Sequence, residues 1–329
     1  MWAIIHEHEL TERHASDIEV FWQTQVTLGK FSGQHGANIH YALVQPENPK
    51  AHIVFSNGRI ETLLKYKAFA LECYQNNIAL YMLDHRGQGL SDRMIKDPQR
   101  GYVEKFDDYV QDLATFVEQI VMPLSGPKPV LACHSMGSAI GYLTALQHPN
   151  LFSRVLFCSP MFGVKPAIPK ALLAVLLKVG ITTNRWFGRK PWYAIGQGPY
   201  IDIPFKLNIL THSDTRYRIF RAEYKKAPQL QLGGVTFHWL EQATKAMDKI
   251  EASAPEFPLN CKVLMSGADK VVDNKRIARV VNRMPTCSVL KIEGARHELL
   301  FERDDLRDQA LTALFEYATT PEGEATPND

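Results

Sequence analysis

The chain has 329 residues, 45% of them hydrophobic and 22% charged, with a formal net charge of +2. Such a composition suits a globular protein with one large core and an insertion, or two domains, and the near-neutral balance argues against a general nucleic-acid binder. Five scattered cysteines, Cys73, Cys133, Cys158, Cys261 and Cys287, include no CxxC pair. They read as buried thiols of a reducing compartment rather than as disulfides or a zinc site.

The start, MWAIIHEHELTERHASD, is polar and lacks the apolar core of a signal peptide. It is expected to be irregular, with His6 and His8 in an exposed segment rather than on a metal. No apolar run is long enough to span a bilayer, so a cytosolic protein able to rest on a membrane surface is expected. VTLGKF and ANIHYALVQP then alternate as strands, and AHIVFSNG is a short apolar strand ending in turn residues. YKAFALECYQNN reads as a helix, IALYMLD as a buried strand stopping at Asp84-His85-Arg86-Gly87-Gln88-Gly89, and FDDYVQDLATFVEQIV as a helix. PVLACHS is another buried strand, MGSAIGYLTALQHP a helix ended by proline, and RVLFCSP a strand.

Strands alternating with helices predict an α/β protein with a mostly parallel sheet covered on both faces. The alternation stops at Met161 and resumes near CKVLMSGAD, with NKRIARVVNRM, SVLKIEGARH and DLRDQALTALFEYA following. This predicts a core made of 1–160 and 246–318, a mainly helical insertion over 161–245, and a disordered tail over 319–329.

Ligands of such sheets bind beyond the carboxyl ends of the strands. Ser135 sits there, in Cys133-His134-Ser135-Met136-Gly137. Small residues around a serine at a strand-to-helix turn describe a nucleophile elbow, G-x-S-x-G, here with cysteine in place of the first glycine. Ser138 and Gly141 keep the following helix thin. The motif alone fits an N-capping serine equally well.

The remainder of the chain decides between them. A serine needs a base, and in the α/β-hydrolase order Ser, Asp/Glu, His the base follows the acid. Asp269 follows the strand KVLMS, and His297 is the only histidine downstream of it. Asp273 competes as the acid but is better placed to cap NKRIARVVNRM. Glu298 suits orienting the His297 loop or the surface. The oxyanion donors expected are the backbone N–H of Met136 and, from the loop Asn57-Gly58-Arg59-Ile60-Glu61, that of Arg59.

FSNGRIETLLKY, LDHRGQGLSDR, ACHSMGSAI, SPMFGV, LTHSDTRYR, LGGVTFHW, KVVDN and HELLFE together resemble the bacterial inner-membrane lysophospholipases, in the monoacylglycerol-lipase-like branch of the α/β hydrolases. The resemblance spans about Phe55 to Glu302. It implies hydrolysis of the acyl ester of a lysophospholipid without metal or other cofactor, at the inner face of the membrane. It implies Ser135 as nucleophile, Asp269 as acid, His297 as base, and Arg59 and Met136 as oxyanion donors through their backbones.

Residues 161–230 hold twelve Lys or Arg against three Asp or Glu, in a chain of net charge only +2. A basic lid suits an anionic headgroup or an anionic membrane surface, and a solvated basic face explains it too. Arg218, Arg221 and Lys225 share one helical face and are headgroup candidates. His212 and His238, in the two narrow motifs, are candidates that also suit structural hydrogen bonds. AIPKALLAVLLKVGI reads as packing within the insertion, with a membrane-touching lid helix as the alternative. Two rivals stay open: a monoacylglycerol lipase or general carboxylesterase, and a non-catalytic lipid-binding protein on a hydrolase fold.

Overall fold

The structure, a computed structural model, describes residues 1–165, 170–188 and 190–321. Among the described residues eight strands form one sheet: β1 (Val26–Ser32), β2 (Asn38–Val44), β3 (Ala51–Ser56), β4 (Ile78–Leu83), β5 (Val130–His134), β6 (Val155–Cys158), β7 (Cys261–Ser266) and β8 (Cys287–Ile292). Their order is β1-β2-β4-β3-β5-β6-β7-β8, antiparallel for β1·β2 and β2·β4 and parallel from β4 to β8. The mostly parallel α/β sheet expected from the alternation is what forms. β4, β5 and β6 are buried along their whole length, because helices cover both faces.

The helices of the first half are α1 (Glu7–Arg13), α2 (Glu19–Gln25), α3 (Lys67–Gln75), α4 (Phe106–Phe116), α5 (Met122–Ser125) and α6 (Met136–Gln147). Those of the second are α7 (Lys170–Phe187), α8 (Asp214–Lys226), α9 (Phe237–Ser253), α10 (Asn274–Val281) and α11 (Asp304–Thr319). One apolar cluster lies between the sheet and α4, α6 and α9, and a second between the sheet and α3 and α11.

The start of the chain departs from the irregular reading. It is helical and docked: Ile5, Leu10, Ile18, Phe21 and Trp22 are buried, and the Ile5 N–H donates to Glu72 Oε1 at 2.8 Å. Polar residues outnumber the apolar ones there, but these apolar ones join the cluster under α3 and α11. His6 Nε2 meets Asp308 at 3.0 Å.

Between β6 and β7 the described residues add no strand to the sheet; α7, α8 and α9 fill the interval, and position 245 falls inside α9. Residues 167–169, the start of AIPKALLAVLLKVGI, and the tail from 322 onward lie outside the described residues.

Candidate active site

β5 ends at His134 and α6 begins at Met136, so Ser135 alone makes the turn, at φ 51° and ψ −116°. A positive φ on a non-glycine residue is strained and persists only where surroundings enforce it. Here the Ser135 N–H donates to Cys158 O and its carbonyl accepts from the Met161 N–H, both at 3.0 Å. Its side chain makes no cap hydrogen bond to α6, which leaves Oγ available. The turn requires Gly137, where a Cβ would lie 2.0 Å from Ser56 O. Cysteine at the first motif position is accommodated by Gly141, since a Cβ there would lie 2.3 Å from Cys133 Sγ.

Ser135 Oγ is 2.9 Å from His297 Nε2, and His297 Nδ1 is 2.8 Å from Asp269 Oδ2. The carboxylate only accepts, so Nδ1 carries the proton and Nε2 is free to accept from Ser135. Asp269 Oδ1 is occupied by the Val271 and Val272 N–H groups at 2.7 and 3.0 Å. Burial works to raise the Asp269 carboxyl, but the His297 bond and these backbone donors hold it below the usual range. Asp273 lies elsewhere: its Oδ1 caps α10 through the Lys275 and Arg276 N–H groups.

The loop before α3 is held from several sides. The Gly58 N–H donates to Glu61 Oε2 at 2.5 Å, and the Ile60 N–H to Gln88 Oε1 at 3.3 Å. Gln88 Nε2 returns a bond to Gly58 O at 2.7 Å. Among the described residues no backbone acceptor takes the intervening Arg59 N–H, nor that of Met136. Asp84 braces the same loop by accepting from the Leu63 and Leu90 N–H groups, both at 2.8 Å. Burial pushes its carboxyl up to about 6.

Beneath the histidine lies a buried charged cluster that the sequence reading did not identify. Lys65 Nζ sits 2.9 Å from Glu61 Oε1 and 2.7 Å from Glu298 Oε2. His134 Nδ1 is 3.0 Å from Glu61 Oε1, and its Nε2 is 3.2 Å from His297 O. Both partners of the ring are acceptors, so both nitrogens carry protons and His134 is an imidazolium. Burial opposes that charge, but Glu61 and Glu298 raise its pKa to about 9. Glu61, His134 and Glu298 could together face a metal ion. The Lys65 ammonium already holds the cation position between the two carboxylates. The i,i+4 spacing of Glu61 and Lys65 was the one sequence signal for this cluster.

Ser135, His297, Arg59 and Met136 line a cavity of about 620 Å³, with walls from α8, α9 and the segment 196–203. That is the size of a small-molecule pocket. Of the headgroup candidates only Arg221 lines it, and that side chain pairs with Asp202 at 2.9 Å. Arg218 and Lys225 are exposed and pair with Asp214 and Asp202. His212 Nδ1 meets Glu302 at 2.9 Å, and His238 Nε2 donates to Glu104 O at 2.8 Å. Both histidines tie the chain between β6 and β7 to distant segments, and neither lines the cavity.

Residues 47–304 match the model of the Hydrolase_4 family, described as serine aminopeptidase, S33. The chain belongs to that family. It is 32% identical over 304 residues to Lysophospholipase L2 of Escherichia coli strain K12, spanning 90% of this chain and 88% of that protein. It is 29% identical to the Probable lysophospholipase L2 of Haemophilus influenzae, over 86% and 89% of the two chains. Monoglyceride lipase of Rattus norvegicus is more distant, at 26% over 80% of each. A soluble variant of monoglyceride lipase from Saccharomyces cerevisiae, solved with a substrate analog, superposes with a TM-score of 0.70 at 18% identity, over 90% of this chain and 95% of that one. The fold of this Hydrolase_4 member is therefore the α/β-hydrolase fold.

Proposed function

We propose that this Hydrolase_4 protein is a lysophospholipase working through an acyl-enzyme. His297 takes the Ser135 proton as Oγ attacks the acyl carbonyl. The Arg59 and Met136 N–H groups hold the oxyanion, and Asp269 keeps the imidazole oriented and stabilises its charge. The protonated His297 then donates to the departing glycerophospho-alcohol. Water, deprotonated by the same ring, releases the fatty acid. The supporting observation is the unbroken chain Asp269–His297–Ser135 opening onto one cavity beside two unspent backbone donors.

No helix among the described residues is long and apolar enough to cross a membrane. The insertion does present Val175, Val179, Trp186, Phe187, Ile201 and Leu207 to solvent. Apolar side chains set in a basic segment suit seating on an anionic lipid surface, from which a lysophospholipid would enter. α7 also packs inward through Leu177, as the packing role weighed for it requires.

The test is fatty-acid release from lysophosphatidylethanolamine and from monoacylglycerol of equal chain length, for the wild type and Ser135→Ala. Preference for the phospholipid, lost with Ser135, is the expected result. Equal rates on both lipids would favour the monoacylglycerol-lipase reading, and activity surviving in Ser135→Ala would remove the serine mechanism.

A further inference from the structure

Four cationic side chains line the cavity: Arg59, Lys65, Arg221 and the His134 imidazolium, which is spent on Glu61 and the His297 carbonyl. Lys65 is spent on Glu61 and Glu298, and Arg221 on Asp202. Arg59 has no carboxylate within ion-pair distance among the described residues. Its Nη2 donates to the carbonyl of Gly233 in the insertion, and its guanidinium lies over the Trp239 ring at 5.4 Å. Its Nε is buried without any hydrogen-bond partner. Four buried arginines of the core behave otherwise: Arg86 pairs with Asp112, Arg216 with Glu7 and Asp304, Arg276 with Asp248 and Glu251, and Arg307 with Glu72. A partly buried guanidinium whose enclosed Nε is unpartnered calls for an anion that arrives with a ligand.

The space for this group is built into neighbouring residues. A Cβ on Gly101 would stand 2.8 Å from Arg59 Nη2, so glycine there admits the side chain. Burial lowers the Arg59 pKa only to about 10, and the group stays charged at neutral pH. The backbone of the same residue is the proposed oxyanion donor. The anion site is thereby tied to the ester by one arginine side chain.

We infer that the Arg59 guanidinium binds the phosphodiester of the lysophospholipid headgroup and selects that substrate over neutral monoacylglycerols. A planar fork of N–H donors suits two phosphate oxygens, and closure on Gly233 and Trp239 brings the insertion over the headgroup. The inference rests on the lysophospholipase reading, and it moves headgroup recognition from the outer face of α8 to the floor of the cavity.

The experiment measures kcat/KM on lysophosphatidylethanolamine and on monoacylglycerol of the same acyl chain, for wild type, Arg59→Gln and Arg59→Lys. Both substitutions keep the backbone N–H. The expected result is a fall of about 10- to 100-fold in the phospholipid-to-monoacylglycerol ratio for Arg59→Gln, with a smaller fall for Arg59→Lys. An unchanged ratio, with both rates falling together, would make Arg59 a structural clamp and overturn the inference. A second arm needs no variant to fold: sn-glycerol 3-phosphate and inorganic phosphate are tested against wild-type monoacylglycerol hydrolysis, with glycerol as control. Competitive inhibition by glycerol 3-phosphate stronger than by inorganic phosphate supports a headgroup site. Inhibition by inorganic phosphate alone would reveal a free-anion site, and no inhibition by either an absent one; both overturn the inference. A wild type that does not hydrolyse lysophospholipid at all would instead remove the functional reading itself.

Discussion

His134, the residue before the elbow serine, donates through Nε2 to the backbone carbonyl of His297 across 3.2 Å. Its other nitrogen is anchored on Glu61. The proposed base is thus positioned from behind by a buried imidazolium, whose charge Glu61 and Glu298 maintain and Lys65 opposes. His134→Gln should lower kcat about 10-fold or more with little change in KM, because orientation rather than binding is lost. The pH dependence has a definite sign. The group sits near 6.5 in a free chain and is raised to about 9 here. Its contribution to stability is complete below pH 6.5 and is lost as pH rises through about 9. Melting temperature between those limits should fall more steeply in the wild type than in His134→Gln, and equal slopes would remove this role.

Lys65 is the counter-charge for two buried carboxylates. Burial alone would lower its pKa, but Glu298 and Glu61 raise it, while Glu61 is held well below the ordinary carboxylate range despite its burial. Lys65→Met leaves the two acids facing each other without that cation. The expected cost is about 3–5 kcal/mol in denaturant unfolding. Lys65→Met combined with Glu61→Gln and Glu298→Gln should recover part of it.

What could be read from the chain follows from how local each signal was. Buried strands such as IALYMLD and RVLFCSP announce themselves by composition, and the elbow at Ser135 by small residues over five positions. Asp269 and His297 followed from chain order, and the structure brings them within hydrogen-bond reach of Ser135. The charged cluster was illegible because Glu61, His134 and Glu298 come from three distant segments. The partnerless guanidinium of Arg59 was hidden for a related reason: only the folded chain shows that, among the described residues, no acid reaches it. Arg221 and Lys225 on α8 looked free because Asp202, which binds both, lies on a different segment.

Cys133 and Gly141 form a compensating pair. Adding a methyl at Gly141 would bring it within 2.3 Å of Cys133 Sγ. Gly141→Ala should destabilise by about 1–3 kcal/mol through overpacking. In a Cys133→Gly background the sulfur is gone, and the same substitution should cost much less. A double-mutant cycle by urea denaturation measures the difference, and simple additivity would show that the two residues do not compensate.

Asp269 and Asp273 lie four residues apart and are separable by experiment. Asp269 accepts from the His297 ring, whereas Asp273 accepts from two N–H groups at the start of α10. Asp269→Asn should reduce kcat by about 10³–10⁴-fold, since the amide presents a donor to His297 and favours the wrong tautomer. Asp273→Asn should change melting temperature slightly and leave kcat near the wild-type value, because asparagine also caps helices well. Reversal of these two effects would reassign the acid.

Trp186 and Phe187 end α7 with exposures of 77% and 79%. Keeping two large aromatic side chains in water forgoes several kcal/mol of burial, a cost that a lipid surface removes. Trp186→Ser with Phe187→Ser should leave the melting temperature within a degree or two of wild type, since neither side chain is packed. The same change should weaken sedimentation with vesicles of phosphatidylglycerol and phosphatidylethanolamine about tenfold or more. Turnover of lysophospholipid embedded in those vesicles should fall with it. Turnover of a short-chain ester dissolved in water should not, because the Ser135 site and its cavity are untouched. Equal losses on the two substrates would place the aromatic pair in the folding of the insertion rather than at the membrane.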